Sequence, residues 1–200
     1  MAKPGAAELV NLVDGTVQQT IQTGTTNACI SISGDGKSLA TSSKGSRYIS
    51  IFDLESGNKK GSTPIPTGAN NITLNHDASL VAVSLQAQKT KHDERAVVFN
   101  TSSGKAFIET EIGGTHVFAF HPNNESVLIG AFQNYFTCIR INDSTPIMEG
   151  NKRVTSLGYS PDGKTLAITT WDGYLQIHDS ETGNQINTRK AFLTRHNQMA

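Results

Sequence analysis

The sequence predicts an all-β fold of short, four-stranded antiparallel blades. Three observations lead there. First, one phrase repeats. Ser33-Gly34-Asp35-Gly36-Lys37-Ser38-Leu39-Ala40 and Ser160-Pro161-Asp162-Gly163-Lys164-Thr165-Leu166-Ala167 are near copies. Asn75-His76-Asp77-Ala78-Ser79-Leu80-Val81-Ala82 and His121-Pro122-Asn123-Asn124-Glu125-Ser126-Val127-Leu128 are diverged versions. Second, an alternating apolar run ending in Asp or Asn follows each copy. A period of two belongs to half-buried strands. Third, polar turns rich in Gly, Asn and Ser punctuate the runs. A repeat of about forty residues with strand alternation means blades arranged radially, a β-propeller, and an interaction surface more often than an active site.

The elements follow in order. Residues 8–14 read as the third strand of a blade and 16–22 as its fourth, so the chain opens on a split N-terminal half blade. The first full blade has strands at 28–32, 39–42 and 48–53, then a weaker one to about 65. The second has 72–74, 80–84, 96–100 and 106–111; the third 117–120, 127–130, 136–141 and 147–149. The fourth has 154–159, 166–170, 174–179 and 185–188. Third strands end at Asp14, Asp53, Asn100, Asp143 and Asp179. Leu39, Leu80, Val127 and Leu166 are expected to share one position of the inter-blade core. A buried Leu there contributes about 1.5–3 kcal/mol. Four full blades and a half do not close a ring. Residues 1–200 therefore read as one domain, part of a larger propeller or a chain that closes with another copy. Residues 1–7 and 189–200 are flexible or blade-completing termini, and an open blade edge invites self-association.

Composition narrows the function. Seventeen basic and seventeen acidic residues balance, so no whole-chain field draws in nucleic acid or anionic membrane. Cys29 and Cys138 lie inside apolar runs and read as free thiols of a reducing compartment. Residues 1–5 lack the apolar core of a secretory signal, and no apolar run approaches the roughly 20 residues that span a bilayer. The expected location is cytoplasmic or nuclear. The six histidines show no metal-ligand spacing with Cys or another His. No GxSxG, Walker loop or GxGxxG after a strand is present.

The units resemble WD repeats of the WD40 propeller family. The last unit carries this most fully, with Tyr159-Ser160-Pro161-Asp162-Gly163-Lys164-Thr165-Leu166-Ala167, then Trp171-Asp172-Gly173-Tyr174-Leu175-Gln176-Ile177-His178-Asp179, then Glu181-Thr182-Gly183. The resemblance covers about residues 8–188. The dipeptide that names the family is replaced by Phe52-Asp53, Phe99-Asn100, Asn142-Asp143 and His178-Asp179. The Gly-His pair that opens a typical repeat is absent, so the family's Asp-His-Ser-Trp network is not expected intact. The resemblance implies a rigid, non-catalytic platform that assembles other macromolecules. The paired arginines of phosphoinositide-binding propellers are missing.

In such blades the turns between second and third strands share a rim with the links between blades. Those turns hold Arg47 and Tyr48; Lys89, Lys91 and Arg95 in an insertion; Tyr135; and Trp171 and Tyr174. Trp, Tyr and Arg are common binding anchors. These eight residues are the expected partner-binding set, and the expected partners are proteins or peptides. No catalytic residue, metal, cofactor or small-molecule substrate is expected. Asp172 before Gly173 reads as a turn carboxylate rather than a catalytic one. His76 and His121 read as equivalent turn positions. Lys59-Lys60, Lys89-Lys91, Lys152-Arg153 and Arg189-Lys190 are short basic clusters that read as solvated turns. Two alternatives stay open: a cofactor- or metal-dependent propeller enzyme of the quinoprotein or lactonase kind, and an RNA-associated assembly factor.

Overall fold

A computed structural model describes residues 5–24, 27–43, 45–87, 94–110, 114 and 116–190, with only the backbone of residues 27 and 28. Strands β1 (Ala6–Val10) and β2 (Val17–Gln22) form a two-stranded hairpin. Four sheets of four antiparallel strands follow in chain order. Blade A holds β3 (Asn27–Ile32), β4 (Ser38–Ser43), β5 (Tyr48–Asp53) and β6 (Lys59–Pro64). Blade B holds β7 (Ala69–Leu74), β8 (Leu80–Leu85), β9 (Arg95–Asn100) and β10 (Ala106–Thr110). Blade C holds β11 (His116–Phe120), β12 (Ser126–Ala131), β13 (Tyr135–Arg140) and β14 (Pro146–Gly150). Blade D holds β15 (Val154–Tyr159), β16 (Thr165–Thr170), β17 (Tyr174–Asp179) and β18 (Gln185–Lys190). The predicted half blade and four full blades are therefore present, each blade a simple up-and-down meander. No helix among the described residues is long and apolar enough to cross a membrane.

The chain divides into two compact units, residues 1–110 and 111–200. In the first, β3 and β4 pack against β7, and Leu74 N–H donates to Ser31 Oγ at 2.9 Å. Ile49, Ile72, Val81, Val83, Val97 and Phe99 form its main core. The hairpin packs Ala7 and Leu9 on a second cluster of Ile21, Leu39, Phe52 and Leu54. In the second unit β11 and β12 pack against β15, around Leu128, Phe136, Cys138, Val154, Leu166 and Ile168. The Tyr159 hydroxyl lies 2.9 Å from Ser126 Oγ and 3.2 Å from Cys138 Sγ, tying blade D to blade C. Both cysteines are free, and burial pushes both thiols above their usual value. Neither is a nucleophilic thiolate at neutral pH.

The repeated phrase is a turn closed by its own side chains. Ser33 Oγ donates to Asp35 Oδ1 at 2.6 Å and accepts from Ser38 N–H at 2.9 Å, while Lys37 N–H donates to Asp35 Oδ1. Ser160, Asp162, Lys164 and Thr165 repeat the arrangement. The third turn residue takes positive φ in every blade: Gly36 at 70°, Ala78 at 60°, Asn124 at 60° and Gly163 at 73°. Glycine has no Cβ to strain there. The middle blades adopt the same backbone without it, which is why their sequences look worn.

Backbone bonds across these turns set the register and correct two expectations. Ser33, Asn75, His121 and Ser160 each donate to the carbonyl five residues on. The position of Leu39, Val127 and Leu166 is therefore held in blade B by Val81, not Leu80, which pairs with Asn100 one step earlier. A run of four apolar residues after Ser79 concealed that step. His121 is equivalent to Ser33, Asn75 and Ser160, whereas His76 sits at the Gly34 position, so the two histidines are not equivalent. His121 Nδ1 accepts from Asn123 N–H at 3.1 Å and Nε2 faces the Gly163 carbonyl at 3.1 Å. The ring thus does a turn-closing job that Ser does elsewhere.

At the other turn of the same blade end, Asn11, Asp53, Asn100, Arg140 and Asp179 make equivalent backbone bonds. Asp14 and Asp143 lie three residues further, where their carboxylates accept from Thr16 and Thr145. Ile139-Arg140 therefore occupies the place assigned to Asn142-Asp143. β1 also stops at Val10, and residues 11–15 form a turn in which Val13 N–H donates to Asn11 Oδ1. Leu12 and Val13 are 98% and 94% exposed, so the apolar content of residues 9–13 suggested a longer strand than β1 is. β1 begins at Ala6 and β18 ends at Lys190, and most of the expected flexible or blade-completing segment 189–200 lies outside the described residues.

Candidate functional site

The opposite end of each blade carries the turns between second and third strands. Ile65 N–H donates to Arg47 O at 2.9 Å, Gln86 N–H to Gly68 O at 2.7 Å, and Trp171 N–H to Arg153 O at 2.8 Å. The blade-to-blade links and these turns therefore do share one end.

In the first unit Arg47 and Tyr48 are exposed, with Tyr48 held by Ser46 through two bonds of 3.0 and 3.1 Å. Arg95 pairs with Glu109 at 2.8 Å, both side chains about half exposed. Lys89 and Lys91 lie outside the described residues.

In the second unit the turns align residue for residue. Phe132-Gln133-Asn134-Tyr135 follows β12 as Trp171-Asp172-Gly173-Tyr174 follows β16, with positive φ at Asn134 (63°) and Gly173 (85°). Phe132 and Trp171 are 39% and 50% exposed. Their rings meet edge to face, with centroids 5.3 Å apart at 86°. Arg153, from the link between blades C and D, lays its guanidinium carbon 3.9 Å from the Phe132 centroid and 5.2 Å from that of Trp171. Its Nε donates to the Phe132 carbonyl at 2.9 Å. Such edge-to-face pairs contribute about 0.5–1.5 kcal/mol, and an exposed cation–π contact about 0.5–1.

Beside them Lys152 Nζ lies 3.1 Å from Asp172 Oδ2, and Thr170 Oγ1 donates to Asp172 Oδ1. The Thr170 hydroxyl first, then Lys152, holds the Asp172 carboxyl below its usual value. Asp172 is thus a turn carboxylate as expected, although side chains rather than backbone N–H groups satisfy it. Asn134, Asn151, Lys152, Arg153, Trp171 and Asp172 line a groove of about 420 Å³. Tyr135 is half-buried, and its hydroxyl donates to Glu149 Oε1 at 2.7 Å. Burial, then Glu149, raises its phenol. Tyr174 is exposed at the start of β17.

Of the eight expected residues, Trp171 is therefore built into a composed cluster. Tyr135 and Tyr174 stand next to the same two turns. Phe132 and Arg153 complete the cluster and were missed. The signal for Phe132 was its place five residues after Val127, matching Trp171 five residues after Leu166. Nothing local marks Arg153, because its role comes from packing between two blades. The opposite blade end of the second unit has a larger cavity, about 790 Å³, lined among others by His121, Asn123, Asp162, Gly163, Asp179 and Ser180. Its polar groups largely serve turn closure: Ser180 Oγ and His121 Nε2 both address the Gly163 carbonyl. No cluster of three His, Cys, Asp or Glu with metal-binding geometry occurs among the described residues.

The fold has solved counterparts. The β-propeller domain of Cps50 (Swd1) from Myceliophteria thermophila superposes with a TM-score of 0.67 at 11% identity, over 87% of this chain and 58% of that one. Kuenenia stuttgartiensis hydrazine synthase superposes with a TM-score of 0.66 at 14% identity, over 90% of this chain and 58% of that one. The chain thus spans a little over half the length of these structures. No curated protein sequence matches it. Meandering four-stranded blades with these counterparts define a β-propeller fold. Residues 117–195 match the family model for the WD40 domain of anaphase-promoting complex subunit 4, a stretch that holds blades C and D. Blades C and D therefore resemble WD repeats, within a chain that has a β-propeller fold.

Proposed function

We propose that this chain is a non-catalytic protein-docking scaffold within a multiprotein complex, cytoplasmic or nuclear, and that it binds through the open blade ends around Trp171. One observation carries the reading. A half-exposed Trp is held by a Phe and an Arg at the junction of two blades, a preorganised anchor whose burial by a partner releases water at little entropic cost. The family match, to a domain named as a complex subunit, supports membership of an assembly. Arg47, Tyr48, Lys89, Lys91 and Arg95 extend the expected docking set in the first unit. Hydrazine synthase is an enzyme by name, but at 14% identity the likeness carries the fold alone.

The test is affinity capture on immobilised chain, wild type against Trp171→Ala, with captured proteins identified by mass spectrometry. The reading expects a defined protein set lost from the variant while its circular dichroism is unchanged. Capture that survives the substitution removes Trp171 from the function. Capture of RNA that weakens steeply with salt supports the RNA-associated alternative instead.

A further inference from the structure

We propose that Arg153 makes the groove beside Phe132 and Trp171 selective for a peptide with a carboxylate next to a bulky apolar side chain. The inference rests on the docking reading and adds the chemistry of the partner. Arg153 is already ordered: Nε is bonded to the Phe132 carbonyl, and the guanidinium lies over one aromatic ring and near a second. No bond within the described residues engages its two terminal nitrogens. They form a planar pair of donors with matched spacing for the two oxygens of a carboxylate.

Charge points the same way. The charged groups lining the groove are Lys152, Arg153 and Asp172. Asp172 is engaged by Lys152 and by the Thr170 hydroxyl. Among the described residues one cation is left uncompensated, enough for a single carboxylate. A phosphate carries close to two charges and would leave one unmatched. The amides of Asn134 and Asn151 offer bonds to a peptide backbone across the same groove. The half-exposed faces of Trp171 and Phe132 supply the apolar contact for the neighbouring side chain. A volume of about 420 Å³ lies in the size range of small-ligand sites.

Trp171 is the single tryptophan of the chain, so its emission reports this site directly. The experiment titrates the full chain with end-blocked hexapeptides that share one sequence around a central Asp-Leu, Asn-Leu or phosphoserine-Leu, and with an oligouridylate. The Asp-Leu peptide is expected to shift the emission and to bind at least about tenfold more tightly than Asn-Leu, as a charge-assisted bond requires. Arg153→Gln should erase the difference while the weaker, apolar binding of both peptides persists. Arg153→Lys, with charge but no fork, should restore only part of it.

Equal affinities of the wild type for Asp-Leu and Asn-Leu overturn the carboxylate inference and leave the docking reading standing. So does a preference that survives in Arg153→Gln. Tighter binding of the phosphoserine peptide overturns it in favour of a phosphopeptide site. A response to the oligouridylate alone, or to none of the four, overturns the docking reading with it.

Discussion

The two ends of each blade solve the same problem, reversing a strand, in opposite ways. At the end that carries the repeated phrase, side chains close the turn on itself. Asp35 and Asp162 accept from a Ser hydroxyl and a backbone N–H, and Asp77 from both groups of Ser79. At the other end of blades C and D the turns present Phe132 and Trp171 to solvent with Arg153 across them. The closed end is repetitive because every blade needs it. The open end varies from blade to blade, with Arg95 paired to Glu109 in blade B and an aromatic cluster in C and D. The larger cavity lies at the closed end, yet its donors and acceptors largely serve the fold. Free bonding capacity, rather than volume, marks the proposed docking surface.

Acid should separate the ends most broadly. Hydrogen bonds from the turn hydroxyls and N–H groups hold the Asp35, Asp77, Asp162 and Asp179 carboxyls below their ordinary value of 3.8. A carboxyl whose folded value is depressed stabilises the fold fully above the unfolded value and loses that contribution as pH falls through the folded one. Denaturant melts are expected to be flat from neutral pH to about pH 5 and to fall below about pH 4, with a shallower fall in Asp35→Asn. An identical slope in that variant would remove turn closure as the cause.

Single glycines test the closed end more sharply. Gly163 and Gly36 share the left-handed backbone, but a Cβ at Gly163 meets the His121 ring while one at Gly36 meets nothing within 4 Å. Gly36→Ala should cost about 1–2 kcal/mol for the backbone alone. Gly163→Ala should cost that and about 1–3 kcal/mol more for the ring it displaces. Equal losses in urea melts would show that blade D does not press its turn on blade C.

Effects on stability shrink at the open end. Trp171→Ala gives up the contacts with Phe132 and Arg153, expected at about 1–2 kcal/mol, with a far larger effect on partner capture. Lys152→Ala breaks a half-exposed ion pair and should shift stability by less than about 1 kcal/mol, measurable as a small change in Tm. A large destabilisation by Lys152→Ala would mean that the open end, too, is structural.

Most of the architecture could be read directly. The Ser-x-Asp-Gly phrase encodes its turn through bonds between residues two to five apart, and the strands announce themselves by alternation. Failures came where local chemistry was ambiguous. Leu12 and Val13 are apolar as strand residues often are, yet Asn11 and Gly15 make them part of a turn. Four apolar residues in a row left Leu80 and Val81 one register step apart, and only the ladder with Asn100 decides between them. The cluster proposed for docking was half legible: Trp171 stood out by residue type and place, whereas Arg153 looked like a solvated charge.

By itself the sequence determined the blade count, the strand class and the closure of one set of turns, because these depend on interactions within about forty residues of chain. The tertiary structure decided which exposed side chains act together. Phe132, Arg153 and Trp171 come from three separate turns and links, and they meet only because blade D packs beside blade C and lays the linking segment across both blade ends.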